Sequence, residues 1–257
     1  MSEWALILGG SSGIGAACAK ELAKKGINIY GIYLRKKSNI IDELTSELKS
    51  YGVDVIYKKM SATNAEKRSE AISELKNIDD LNIKIFIHSL AFGTLKPMIA
   101  DDPNNMLNQK NIEMTMDVMA NSLVYWSQDL FLNNLLSTHS QIFSMTSAGS
   151  HIQWKSYGAV SMAKAALESA TRQLAVEFAP YKIAANSIQA GVTDTEALRK
   201  IPGSESMIDN ANSGNPNQRL TLPEDVAKAV VNIGLSNENW MTGNTIRLDG
   251  GEDILGS

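Results

Sequence analysis

The sequence predicts an α/β fold: a doubly wound, mostly parallel sheet of seven strands with helices on both faces. Three observations lead there. Short apolar runs of strand length alternate with longer segments of helical period along the whole chain. A glycine-rich turn joins the first apolar run to the first helical segment. The 257 residues, 44% hydrophobic and 20% charged, are enough to cover both faces of one sheet.

Residues 4–8, 28–34, 54–58, 83–88, 141–145, 183–188 and 245–248 each read as a short buried strand. Helices are expected over 15–25, 40–51, 65–77, 111–136, 156–178 and 223–235. The last opens with Pro223, Glu224 and Asp225, where proline suits a first turn and the acids complement the helix dipole. This alternation supplies the crossovers that parallel neighbours require. No repeat, low-complexity tract or linker divides residues 1–257, so one domain is expected. Residues 195–220 are rich in Ser, Asn, Pro and Gly and lack a clear period. They are expected to interrupt the last crossover as a substrate lid.

Composition narrows the function classes. A net charge of −4 gives no reason to expect nucleic acid or an anionic membrane as partner. Cys18 is the single cysteine, so neither an intrachain disulfide nor a cysteine zinc site is expected. His139 and His151 share no ligand spacing with acids, and no metal is expected. No apolar run approaches the roughly 20 residues of a membrane span, and no basic leader region precedes the first strand. A cytoplasmic protein is expected.

The first strand runs into Gly9, Gly10, Ser11, Ser12, Gly13, Ile14 and Gly15, which open the first helix. Gly9 suits a tight turn, Gly13 a close approach to phosphate, and Gly15 close helix–strand packing. Free N–H groups at the helix start would then face a pyrophosphate, as in a Rossmann-type dinucleotide site. A purely structural turn is the alternative. The second strand ends in Arg35, Lys36 and Lys37 and carries no acid for a ribose 2′-hydroxyl. These cations suit a 2′-phosphate, making NADPH the expected cofactor and NADH the less favoured one. A solvated surface cluster would show the same charges.

The fifth strand leads into Ser144, Thr146 and Ser147, followed by Tyr157 and Lys164. A hydride-transfer enzyme needs a donor for the oxygen on which charge develops. A tyrosine serves if a nearby cation favours its ionised form. Seven residues are nearly two helical turns, so Tyr157 and Lys164 fall on one face, roughly 10 Å apart along the axis. Without the glycine loop, the pair would read as one interfacial Tyr and one surface Lys on an amphipathic helix.

Together, Gly9 to Gly15, Ser147, Tyr157, Lys164 and the segment 242–251 resemble the short-chain dehydrogenase/reductase family along the whole chain. Its carbonyl reductases usually place three residues between Tyr and Lys. The six here resemble the enoyl-acyl-carrier-protein reductase branch. His88, Ser89, Leu90, Ala91, Phe92 and Gly93 are similar to that branch, and Met119 falls where carbonyl reductases keep an Asn, with Asn121 two residues away. Ser147 departs from many enoyl reductases, which carry a second Tyr there, and matches the carbonyl reductases' catalytic Ser. NADPH-using, dehydrogenase-like enoyl reductases share such a Ser, and are similar over 159–168 and 191–198.

The resemblance implies reduction of trans-2-enoyl thioesters in fatty-acid synthesis, with Tyr157, Lys164 and Ser147 catalytic. The alternative it leaves is a 3-oxoacyl or other carbonyl reductase using the same three residues. It further implies that the Val192–Thr193 backbone holds the nicotinamide amide, that Thr195 meets a pyrophosphate oxygen and that Gly191 binds the cofactor; without the resemblance the segment reads as an ordinary polar loop. Ser89, Leu90 and Ala91 would line the cofactor, and Ser61 and Ala62 could pack at the adenine or form a plain turn. An acyl thioester substrate, carried by acyl carrier protein or by coenzyme A, and a homotetramer or homodimer are implied partners. His88 reads as a packed histidine, not a catalyst. Met106, Met114, Met116 and Met119 form a cluster suited to core packing, subunit packing or an acyl channel.

Overall fold

The computed structural model describes residues 2–201 and 203–255. The seven strands are β1 (Ser2–Leu8), β2 (Asn28–Tyr33), β3 (Val55–Lys59), β4 (Leu81–His88), β5 (Leu136–Ser147), β6 (Ala184–Ala190) and β7 (Thr245–Leu248). They form one wholly parallel sheet in the order β3-β2-β1-β4-β5-β6-β7. The order reverses between β1 and β4, and a ligand crevice is expected beyond the carboxyl ends of such a pair. Gly9 and Ser89 follow those two strands there.

The apolar runs divide by side-chain parity. Trp4, Leu6 and Leu8 of β1 join one buried cluster, whereas Ala5 and Ile7 join the other. Three helices pack on the second face: α1 (Gly13–Ala23), α2 (Ser38–Lys49) and, beyond β6, the helix over Pro223–Gly234. The first face is covered by α3 (Ala65–Lys76), α4 (Gln109–Met116), α5 (Ser122–Leu132) and α6 (Gly158–Phe178). The helix over Ser204–Gly214 is α7, which makes Pro223–Gly234 α8. Trp126 of α5 is fully buried and donates from Nε1 to Ala62 O at 2.9 Å, fixing the segment after β3. No helix among the described residues is long and apolar enough to cross a membrane.

Three expectations are corrected. The helix expected over 111–136 is two helices joined by a π-turn, Asp117–Asn121, and α5 ends at Leu132. Asn134, in the left-handed conformation with φ 55°, stops it, and Leu136 already belongs to β5. The lid expected to be irregular over 195–220 contains α7. Its composition hid it: the helix is rich in Ser, Asn and Gly, which favour turns, although Ser204, Met207, Ile208 and Ala211 share one partly buried face. Finally, α6 begins at Gly158, not at 156, because Ser156 takes φ 62° and Tyr157 is the residue before the first turn.

Candidate active site

The turn after β1 explains its glycines by contact. Gly9 has φ 82°, and a Cβ there would lie 2.2 Å from Ser89 O. At Gly15 a Cβ would lie 2.3 Å from Gly9 O, so the first turn of α1 sits directly on the loop that precedes it. Gly9→Ala meets both left-handed strain and a backbone clash, and is expected to cost about 3 kcal/mol of stability. Urea unfolding midpoints measure the loss; an unchanged midpoint would contradict this account of the turn.

Helix α1 starts bare, as do α2, α5 and α6. No side chain caps it and no acid lies in its first turn. By contrast, Asn64 caps α3 by accepting from Lys67 N at 2.8 Å, and Glu224 and Asp225 occupy the first turn of α8. The uncapped N–H groups of α1 face a cavity of about 1200 Å³. That arrangement fits a phosphate group.

The same cavity brings together most of the residues singled out in sequence. Its walls include Gly9, Ser11, Ser12, Gly13 and Ile14 from the loop, Arg35 and Lys36 from the end of β2, and Ser61 and Ala62 after β3. Ser89, Leu90 and Ala91 line it after β4, Ser147 after β5, Tyr157 and Lys164 beside α6, and Gly191, Val192, Thr193 and Thr195 after β6. Lys37 does not line it; it is exposed at the start of α2.

Tyr157 and Lys164 are both buried. The Tyr157 ring meets Trp154 edge-on, with centroids 5.6 Å apart. Its carbonyl accepts from Ser161 N at 2.8 Å, which ties the residue to the start of α6. Burial raises the phenol's pKa above its ordinary value. Ser147 Oγ is itself buried without a hydrogen-bond partner among the described residues. Lys164 Nζ donates to Met145 O at 2.5 Å. Burial lowers its pKa to about 8, against the opposing pull of Glu168. That carboxylate accepts from Thr146 Oγ1 at 2.7 Å.

His88 is a packed residue. Ser122 Oγ donates to Val118 O at 2.8 Å, so His88 Nε2 is the donor in its own 2.8 Å contact with that hydroxyl. Burial, with the Lys164 charge adding to it, lowers the ring's pKa to about 3. It is therefore neutral at physiological pH.

Met119 lies in the π-turn, buried, on the cavity wall. A Cβ added at Gly93 would come within 3.2 Å of its sulfur. Asn121 is exposed, so the amide two residues away does not reach this wall. Met114 also lines the cavity, whereas Met116 packs against the core and Met106 lines neither.

Sequence reasoning missed several members. Trp154 stands against Tyr157, and Phe92 carries the Arg35 guanidinium 3.4 Å from its ring centroid. Glu252 accepts from Val192 N with both oxygens at 3.2 Å, pinning the loop expected to meet the nicotinamide. No short motif signals these contacts; Glu252 and Val192 are 60 residues apart.

The family model described as enoyl-(acyl carrier protein) reductase matches residues 9–252. The chain belongs to this family of short-chain dehydrogenases/reductases. A sorbose reductase of Schizosaccharomyces pombe is 29% identical, the match covering 96% of this chain and 94% of the relative. The enoyl-[acyl-carrier-protein] reductase (NADH) of Aquifex aeolicus superposes with a TM-score of 0.85 at 23% identity, covering 99% and 98% of the two chains. A Burkholderia cenocepacia short-chain dehydrogenase in complex with NADP gives 0.84 at 24%, covering 98% of each. At such identity the two structural likenesses establish the fold. Family membership makes this short-chain dehydrogenase/reductase an oxidoreductase that binds a nicotinamide cofactor.

Proposed function

We propose that this enzyme uses NADPH to reduce the C=C bond of trans-2-enoyl thioesters. The observation that carries the proposal is Met119: a buried thioether stands on the wall where carbonyl reductases keep an amide. The cavity beyond Tyr157 supports an acyl substrate, with Leu95, Ile152, Trp154, Val160, Leu198, Ile201 and Met207 supplying apolar walls. Delivery by acyl carrier protein and assembly as a dimer or tetramer belong to the same reading.

When bound, the reduced nicotinamide supplies a hydride for the substrate's β-carbon. Tyr157 Oη donates to the thioester oxygen, stabilising the negative charge that collects there as the enolate forms. The Lys164 ammonium would hold the ribose hydroxyls of the bound cofactor and would add positive potential near Tyr157. Glu252, through the Val192 N–H, keeps the 191–193 segment in place for the nicotinamide amide. Met119 and Trp154 exclude water from the reacting carbons. A proton from solvent then reaches Cα, so that hydride and proton together saturate the C=C bond.

The NADPH preference is supported by Arg35 and Lys36 on the cavity wall and by the lack of an acid at the end of β2. Replacing Arg35 with Asp and Lys36 with Ala is expected to raise KM for NADPH about tenfold more than KM for NADH. Steady-state titration of both cofactors measures this, and equal changes would contradict the assignment.

One observation favours a second reading, reduction of a 3-oxoacyl or other carbonyl group. The unpartnered Ser147 Oγ beside Tyr157 could donate to a carbonyl oxygen. Ser147→Ala separates the two readings. For enoyl reduction, turnover of crotonyl thioester is expected to stay within about threefold of wild type. A loss of about a hundredfold, with acetoacetyl thioester as the faster wild-type substrate, would select the carbonyl reading.

A further inference from the structure

We propose that Glu196 is a specificity-determining residue: it holds Lys36 across the cofactor groove and thereby narrows the preference for NADPH over NADH. The inference rests on the reading above that Arg35 and Lys36 receive the 2′-phosphate.

The two cations at the end of β2 are treated differently. Arg35 meets no acid among the described residues; its guanidinium lies on the face of Phe92, which follows β4. Lys36 Nζ is paired with Glu196 Oε1, a residue 160 positions away on the segment after β6. The Lys36 side chain is 19% exposed and that of Glu196 70%, so the lysine sits on the groove wall and the glutamate reaches over it. Both line the same cavity as the uncapped start of α1. Glu196 follows Thr195, whose methyl group would lie 3.4 Å from a Cβ at Gly13 of the glycine loop. The acid is therefore held at the phosphate end of the groove.

Its charge is secure. The Lys36 hydrogen bond and charge lower the Glu196 pKa, and Lys200 on the same segment adds to the effect. A 2′-phosphate, carrying close to two negative charges, must take Lys36 from this carboxylate while standing near it. A 2′-hydroxyl faces no such repulsion and can donate to a carboxylate. Glu196 thus supplies from the opposite wall the acid that the end of β2 lacks.

Calorimetric titration of wild-type enzyme, Glu196→Gln, Lys36→Met and the double variant with NADPH and with NADH, at low salt, tests this without turnover. Glu196→Gln is expected to bind NADPH about fivefold more tightly, the scale of one exposed ion pair, with NADH unchanged or weaker. The gain should shrink in the Lys36→Met background, where only the repulsion between carboxylate and phosphate is left to relieve, and shrink again in about 1 M salt, where screening is nearly complete. Equal tightening of both cofactors, or a gain undiminished by Lys36→Met, would overturn the role of Glu196 and leave the cofactor reading standing. If Lys36→Met does not weaken NADPH, the 2′-phosphate reading itself falls, and this proposal with it.

Discussion

Tyr157→Phe is expected to lower kcat by about a hundredfold or more, the range for removing a positioned proton donor, while NADPH affinity stays within about twofold. The substitution removes one hydroxyl and leaves the ring where it is. That ring is held by Trp154 on its edge and by close packing at Gly149, where a Cβ would lie 2.5 Å from it. The backbone is held separately, through Ser161 N. Lost turnover therefore reports the missing donor and not a collapsed wall. An unchanged kcat in the Tyr157→Phe enzyme would remove the phenol from the chemistry. Single-turnover measurements separate that step from product release.

Lys164→Met is expected to weaken cofactor binding and turnover together, because in the proposed mechanism one ammonium serves both ribose and phenol. The pH dependence adds a sharper signature. Lys164 titrates near 8 in the folded enzyme, below its ordinary value of 10.5, because burial disfavours the charged form. The cation is present below that pH and lost above it. Wild-type kcat/KM, which reports the free enzyme, should fall as pH rises through about 8, and Lys164→Met should lack that limb. Stability moves in the opposite direction. Between about 8 and 10.5 the unfolded chain holds this proton and the folded chain does not, so Lys164 makes stability rise with pH across that window. The Lys164→Met variant should lose that contribution. An alkaline limb in kcat/KM that persists in Lys164→Met would assign the titration to another group.

The sheet was legible because both of its faces are covered. Continuous apolar runs such as residues 4–8 cannot be solvated on either side, and the intervening period of 3.6 left little choice of connection. The cavity was legible for a related reason: its members lie at strand ends and in the glycine loop, where local sequence fixes local geometry. The break inside 111–136 was not, since a π-turn keeps nearly the same apolar spacing as the helices it joins. Helix α7 escaped because its Ser, Asn and Gly residues read as loop, although Ser204, Met207, Ile208 and Ala211 fall on one partly buried face. The Lys36–Glu196, Arg35–Phe92 and Val192–Glu252 contacts were beyond reach for another reason. Each joins segments that only the sheet order brings together. The charge run at Arg35 likewise reads the same whether it meets a phosphate, an aromatic face or solvent.

The central claim is that the Tyr157–Lys164 centre, with Met119 on its wall, reduces C=C rather than C=O. A single reaction containing crotonyl and acetoacetyl thioesters of the same carrier at equal concentration, with limiting NADPH, tests it most directly. The product ratio by mass spectrometry is the ratio of the two kcat/KM values. Butyryl thioester is expected to dominate, by about tenfold or more. A predominance of 3-hydroxybutyryl thioester would contradict the account.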